Sequence, residues 1–172
     1  TETTPPTVAI SSPAATHYYA TDIGSATVSG TASDTQNGIA SVIWRNEATG
    51  GSGSCAGSTS WSASGLVLTS GVNRIVITAT DGAGNPGSDW IEVTYTPPTR
   101  LMRLSGDMVF GELGVGDSSN RILRINNDGN STLTVTAILC PSGFSAEPTT
   151  FGIVPLSSQD VTLTFSPAAT QS

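Results

Sequence analysis

Residues 73–81 read Asn73-Arg74-Ile75-Val76-Ile77-Thr78-Ala79-Thr80-Asp81, residues 82–87 Gly82-Ala83-Gly84-Asn85-Pro86-Gly87, and residues 88–96 Ser88-Asp89-Trp90-Ile91-Glu92-Val93-Thr94-Tyr95-Thr96. The first run alternates with a period of two. Ile75, Ile77 and Ala79 fall on one face and Arg74, Val76, Thr78 and Thr80 on the other, the pattern of a strand with one buried face. Asp81-Gly82 opens a turn in which Gly84, Asn85 and Gly87 tolerate positive φ. The return run alternates again, Ile91, Val93 and Tyr95 against Trp90, Glu92 and Thr94. A long antiparallel hairpin is therefore expected over residues 73–96, with the preceding chain packed against its apolar face.

That preceding chain supplies further short runs of the same kind. Residues 7–11 read as a first strand, and His17-Tyr18-Tyr19 begins an extended piece. Ala26, Val28, Gly30 and Ala32 alternate with Ser25, Thr27, Ser29 and Thr31, giving a strand with a small-residue inner face. Ser41-Val42-Ile43-Trp44-Arg45 follows, with Val42 and Trp44 on one face, then a Gly/Ser-rich loop over 47–60, Trp61, and Gly65-Leu66-Val67-Leu68. Seven short strands over residues 7–96 have the size and number of an immunoglobulin-like sandwich.

Residues 1–6 read as a linker, and Thr96-Pro97-Pro98-Thr99 as a boundary, because proline cannot donate to a ladder and paired prolines form a semi-rigid spacer. The expected organisation is thus a linker (1–6), a sandwich (7–96), a Pro-rich linker (97–99) and a second β unit (100–172). In the second unit, strands are expected over 101–104, 108–113, 121–125, 133–139, 151–156 and 161–165. Five or six strands are few for such a sandwich, so the fold class is two tandem all-β immunoglobulin-like sandwiches, the second lacking its last strands. Truncation would explain the shortfall. So would an open sheet that accepts a strand from another chain, such as residues 1–10 of a neighbouring copy.

Composition narrows the function classes. The 172 residues are 37% hydrophobic and only 11% charged, with a net charge of -7, six arginines and no lysine. This balance argues against nucleic acid and anionic membranes as partners, and no apolar run is long enough to insert in a bilayer. A Ser/Thr-rich acidic surface suits an extracellular or cell-surface location. Catalysis is not expected: His17 is the lone histidine and has no nucleophile motif beside it, and no phosphate-cradling Gly loop precedes a helix. Asn130-Ser131-Thr132 matches a glycosylation acceptor, although Asp128-Gly129-Asn130 already reads as a turn.

Three sets of residues are candidate sites. Asp34 and Asp81 end strands whose following loops meet at one pole of an immunoglobulin-like sandwich. With Asn37 and Asn85 they would present oxygen ligands of the type Ca²⁺ takes, the one cofactor the sequence suggests. Trp90 lies on the outward face of its strand and, with Tyr18 and Tyr19, forms a candidate interface. Val161, Leu163 and Phe165 on the last strand form another. Trp44 is expected in the core, where such domains keep a tryptophan, with Trp61 helping to close it. Cys55 and Cys140 have no metal or redox spacing, and a disulfide between them in an oxidising compartment is the alternative to two unrelated thiols.

Two resemblances sharpen this. Residues 6–10, 29–34, 41–44, 50–53, Trp61, 71–73 and 79–85 resemble bacterial Ig-like modules of the glucodextranase B-domain type. Residues 110–111, 115–116, 121–126, 128–133, 141–144 and 161–167 resemble the Hydin-like (ASH) group, choice-of-anchor D in bacteria, whose members continue into a Gly-containing hairpin. The resemblances imply spacer, stalk, adhesive or carbohydrate-associated modules of secreted multidomain proteins, with protein-binding rather than catalytic work. Three functions follow as expectations. One is a non-catalytic spacer or adhesive segment whose partners are neighbouring domains or subunits. The others are a self-assembling filament subunit completed by strand donation, and a carbohydrate-binding appendage of a secreted hydrolase.

Overall fold

A computed structural model describes residues 2–168. It is all-β, with no helix among the described residues, and the chain divides into two compact units, Thr1–Pro97 and Pro98–Ser172. In the first unit the strands are β1 (Thr7–Ser12), β2 (Tyr18–Thr21), β3 (Ser25–Ser33), β4 (Ile39–Asn46), β5 (Ser52–Ser54), β6 (Ala56–Gly57), β7 (Ser60–Val67), β8 (Gly71–Asp81) and β9 (Pro86–Tyr95). They form two sheets, β1-β3-β7-β6 and β2-β9-β8-β4-β5. All ladders are antiparallel except β2 on β9, which is parallel.

The hairpin forms as the alternation requires. Ile75 pairs with Ile91, Asn73 with Val93 and Thr80 with Pro86, and Ile75, Ile77, Ala79, Ile91 and Val93 are fully buried. Facing them from the other sheet are Val28, Leu66 and Trp61. Each large apolar side chain removed from water contributes about 1.5–3 kcal/mol, so the fourteen buried apolar residues of this core outweigh any polar contact in the unit. The buried tryptophan is Trp61, at 2% exposure, and not Trp44. Trp44 is half-buried, with its indole against Gly51, just before β5, and Gly53 within β5, where a Cβ on Gly53 would sit 3.0 Å from Nε1. Val42 and Trp44 do share a face, but the narrow glycine strand lets the longer side chain lie at the margin. Trp61 needs room, and Gly30 on the paired strand provides it: a Cβ there would overlap the Ala9 carbonyl and the Trp61 ring.

A polar corner closes one end of this core. Asn46 and Asn73 are both completely buried. Asn73 Oδ1 accepts from Thr69 N–H and Asn46 Nδ2, while its Nδ2 donates to the carbonyls of Thr69, Gly71 and Val93. Such a fully satisfied network fixes the β7–β8 turn without leaving an orphaned group. Residues 47–60, expected as a loop with one short strand, contain two, β5 and β6. Residues 60–67 form one strand, with Gly65 at φ +69° absorbing an irregularity against β3.

The second unit contains β10 (Met102–Ser105), β11 (Ser119–Asn127), β12 (Leu133–Val135), β13 (Phe144–Glu147), β14 (Phe151–Ile153) and β15 (Ser157–Phe165). One sheet has the order β10-β11-β15-β13, and facing it is a two-stranded ladder, β12-β14. Ile125, Ile153 and Val161 form its buried centre, flanked by Leu123, Leu133, Phe151 and Leu163. Asn127 repeats the buried-asparagine device, donating to Ser131 and Ile153 carbonyls and accepting from Gly129 N–H. Residues 108–113 form no strand, residues 133–139 pair only as far as Val135, and β13 is a strand that was not among those expected.

Replacing Gly30 by Ala forces Trp61 or β1 to shift, so Gly30→Ala is expected to destabilise the first unit by about 1–3 kcal/mol. Urea unfolding followed by tryptophan fluorescence measures this, and an unchanged midpoint contradicts the packing described.

Candidate functional site

The turn-bearing pole of the first unit gathers the residues picked out as oxygen donors. Asp34 follows β3, and its Oδ1 accepts from Gln36 N–H and Asn37 N–H at 2.9 and 2.7 Å, capping the β3–β4 turn. Asp81 ends β8, and its Oδ1 accepts from Ala83 and Asn85 N–H at 2.9 and 2.8 Å. Both are side-chain-closed turns of the kind Asp forms. Sequence reading missed Glu2, which it placed in a linker. The Glu2, Asp34 and Asp81 carboxylates offer oxygens within 4.8 Å of one another. No apolar period marks Glu2, so its place follows only from the folding back of the N-terminal segment.

Asn37 and Asn85 hold this pole together as donors. Asn85 Nδ2 gives 2.9 Å to Glu2 Oε2 and 2.8 Å to Asp81 Oδ2, and Asn37 Nδ2 gives 3.1 Å to Glu2 Oε2. Ca²⁺ takes six to eight oxygens. Here three carboxylates converge, and both amides would have to rotate to add their carbonyl oxygens. Burial pushes the Asp81 carboxyl pKa up, but the Asn85 side chain and the backbone N–H donors of the turn outweigh it and leave the group below its ordinary value. The ionised carboxylate is therefore what the turn is built around.

The outward face of β8–β9 carries a second cluster. Trp90 is half-buried. The Arg74 guanidinium lies 4.3 Å from its ring centroid, His17 stacks at 4.9 Å, and Tyr18 meets it edge-on at 5.9 Å. Its π-surface is thus already engaged within the chain, and Tyr18, at 64% exposure, is the more open aromatic. Tyr19 alternates away from this cluster and pairs with Val93 on the inner side of the ladder. His17 Nε2 lies 2.9 Å from Asp89 Oδ1, which also accepts from Trp90 N–H, while Asp89 Oδ2 accepts from Ile10 N–H. One carboxylate so ties β1, the start of β2 and β9 together, and the lone histidine is a strut in that tie.

In the second unit the last-strand residues separate. Val161 is fully buried against Ile125 and Ile153, which corrects its expected place in an accessible interface. Phe165 stacks on Phe144 at 4.6 Å and meets Phe110 edge-on. Leu163 lines an apolar groove of 340 Å³ with Met108, Phe110, Leu123, Ile138 and Leu139. Cys140 also borders this groove and Cys55 packs against the first core. Both are free thiols, so the disulfide considered between them is not formed. Burial pushes the Cys55 thiol up, away from the reactive thiolate. Residues 7–12, part of the proposed donor segment, are committed to the chain's own sheet through β3, and Thr1 lies outside the described residues.

Residues 102–172 match the family described as Abnormal spindle-like microcephaly-assoc'd, ASPM-SPD-2-Hydin (ASH). No curated protein matches the chain significantly in sequence. Three solved structures are similar to it. One concerns host cell surface retention of a 1.5-MDa bacterial ice-binding adhesin (12% identity, 94% of this chain and 55% of that one, TM-score 0.44). Another is a protein of unknown function from Porphyromonas gingivalis W83 (14% identity, 93% and 83% covered, TM-score 0.35). The third concerns promiscuous carbohydrate-binding modules of a β-sandwich superfamily (12% identity, 99% and 88% covered, TM-score 0.39). The chain spans 55% of the adhesin chain's length. The fold class, all-β and immunoglobulin-like, agrees with the sequence reading.

Because the folded Asp81 pKa is depressed, its contribution is present above the unfolded value near 3.8 and is lost as pH falls through the folded one. Asn85→Ala is thus expected to lower the melting temperature of the first unit clearly at pH 7. The gap to wild type should narrow as pH drops below 4. A gap independent of pH between 7 and 2 contradicts this role for the pair.

Proposed function

We propose that this chain is a non-catalytic, load-bearing spacer or adhesive segment of a secreted or cell-surface bacterial protein. The reading rests on one observation, the route of the chain through the first unit. It enters beside the Asp81–Asn85 turn, where Asn85 holds Glu2, and leaves through Tyr95, paired with Gly71 at the far end of β8. The eleven residues of β8 span the distance between the two ends, about 33 Å at the strand rise.

Tension applied at the two ends therefore acts along the strands. β2 runs parallel to β9, with Tyr18 opposite Glu92 and Thr21 opposite Tyr95, so pulling the start of one against the finish of the other slides the pair lengthwise. Every ladder bond is then loaded together instead of one after another, and the bonds must fail as a set. The ladder is flanked at both ends by further backbone bonds, Glu92 N–H to His17 C=O and Thr96 N–H to Thr21 C=O. β1 is held in the same sense by Ile10 N–H on Asp89 and by the close approach of Pro6 to Gly87. A spacer needs this geometry; a catalyst has no use for it.

Pulling the full chain from its ends in a single-molecule force experiment is expected to give a high-force unfolding event for the first unit. Tyr19→Pro, which puts a residue without an N–H inside β2, should lower that force while Ile43→Thr, at an exposed outward position, should not. Equal forces for wild type and Tyr19→Pro would refute the load-bearing reading.

A further inference from the structure

Asn37-Gly38 is the one place in the sequence where glycine follows asparagine. The pair lies between β3 and β4, in the turn that Asp34 caps, and both residues are exposed. An asparagine side chain can be attacked by the main-chain nitrogen of the next residue, and the β-carbon of that residue ordinarily holds the two apart. Glycine has no β-carbon and lets the groups come close. Gly38 sits at φ +62°, with open space where a Cβ would stand. Its N–H donates no hydrogen bond among the described residues, so nothing there holds the proton that the attacking nitrogen must lose. The Asn37 amide is held through Nδ2, at 3.1 Å from Glu2 Oε2, a longer bond than the 2.9 Å that Asn85 makes to the same oxygen.

We propose that Asn37 is a site of spontaneous covalent modification, and that its conversion opens the clasp holding Glu2 to the first unit. The Gly38 nitrogen bonds to Asn37 Cγ as the Cγ–Nδ2 bond breaks. The proton of the Gly38 N–H leaves with the side-chain nitrogen as ammonia, and a cyclic imide remains. Water then opens the ring. Attack on the side-chain carbonyl gives aspartate, and attack on the main-chain carbonyl gives isoaspartate. One water is consumed and one ammonia released, with no oxidant or reductant.

Either product undoes the clasp. Asn37 Nδ2 donates to Glu2 Oε2, whereas an ionised carboxylate in its place only accepts. It also adds a negative charge where the Glu2, Asp34 and Asp81 carboxylates already offer oxygens within 4.8 Å of one another. None of these three has an ion-pair partner among the described residues, so the added charge is repelled at close range. Isoaspartate further lengthens the main chain by a carbon where the turn is tight, since a Cβ on Gly82 would stand 2.8 Å from the Asn37 carbonyl oxygen. Of the two amides on Glu2, Asn85 alone is left. The conversion does not rest on the load-bearing reading, because it is a covalent change read without force.

The full chain is incubated at mildly alkaline pH beside a synthetic peptide of residues 34–41, which serves as the clock, until the peptide has largely converted. Digestion at arginine releases residues 1–45, a fragment in which Asn37 is the sole asparagine. That fragment is expected to gain the mass of OH over NH2 at residue 37 and to separate into aspartate and isoaspartate forms. Asn37→Gln keeps an amide donor but carries its carbon too far for the small ring, and should not convert. Gly38→Ala should convert more slowly than the wild-type chain. A glutamate-specific protease should cut after Glu2 faster in the converted chain than in the fresh chain or in incubated Asn37→Gln. The proposal is overturned if the folded chain converts at less than about a tenth of the peptide's rate, or if aspartate is the only product. It is equally overturned if Gly38→Ala converts as fast as wild type, or if conversion leaves cleavage after Glu2 no faster.

Discussion

The contact between the β8–β9 inner face and Trp61 is the constraint from which the first unit follows. Ile75, Ile77, Ala79, Ile91 and Val93 make a flat apolar surface, and a flat surface leaves a void unless something thick fills the facing layer. Trp61 is that filler. It fits because the strand beside it carries Ala26, Gly30 and Ala32 inward and because Ala63 follows it on its own strand. Trp61 beside these small residues, together with Val28 and Leu66 of the same sheet, fills the facing layer to interior packing density. The same arrangement makes the site intolerant, since any added atom at Gly30 meets either a backbone carbonyl or the indole. The Trp61 Nε1–H has no hydrogen-bond partner among the described residues.

Polar groups then decide where the strands stop. In both units a completely buried asparagine ends a strand or joins one to a turn, Asn46 and Asn73 in the first and Asn127 in the second. An asparagine carries a donor and an acceptor on one short side chain, so it can satisfy a carbonyl on one strand and an N–H in the adjacent turn at once. Asp34, Asp81 and Asp89 act similarly at the rim, each carboxylate accepting two or more donors. The acidity of the chain is thus partly structural. The carboxylates close turns and tie strands, and only what is left over shapes the field seen by a partner.

Alternation made the hairpin, the small-residue strand and the turn at 82–85 legible, because each is encoded within a few consecutive residues. What a strand pairs with is encoded nowhere locally. Residues 108–113 and 136–139 carry strand-type apolar residues in near-continuous runs, and neither stretch lies in a ladder among the described residues. β13 alternates over only four residues, too few to stand out, and is a strand because Phe144 to Glu147 lies along β15. Trp44 and Trp61 show the same limit. Both sit on the inward side of their strands, and only the width of the neighbouring strand, glycines at 51 and 53 against the full ladder beside Trp61, decides which is buried. Asp34, Asn37, Asp81 and Asn85 were legible as one pole from topology, while Glu2 was not, since its position depends on a tail that folds back through side-chain contacts alone.

The two units apply one sequence grammar to opposite ends. In the first, nine strands give two facing layers around one core, and the edges are the short strands β1 and β6 of one sheet and β2 and β5 of the other. On its outward face the ring of Trp90 is already covered by Arg74 and His17. In the second, a four-stranded sheet faces a ladder of three residue pairs. The same alternation therefore produces more apolar side chains than the second layer can cover. Since apolar area left in water is a standing free-energy cost of roughly 25 cal/mol per Å², a matched sandwich gains little by binding and an unmatched one gains a great deal.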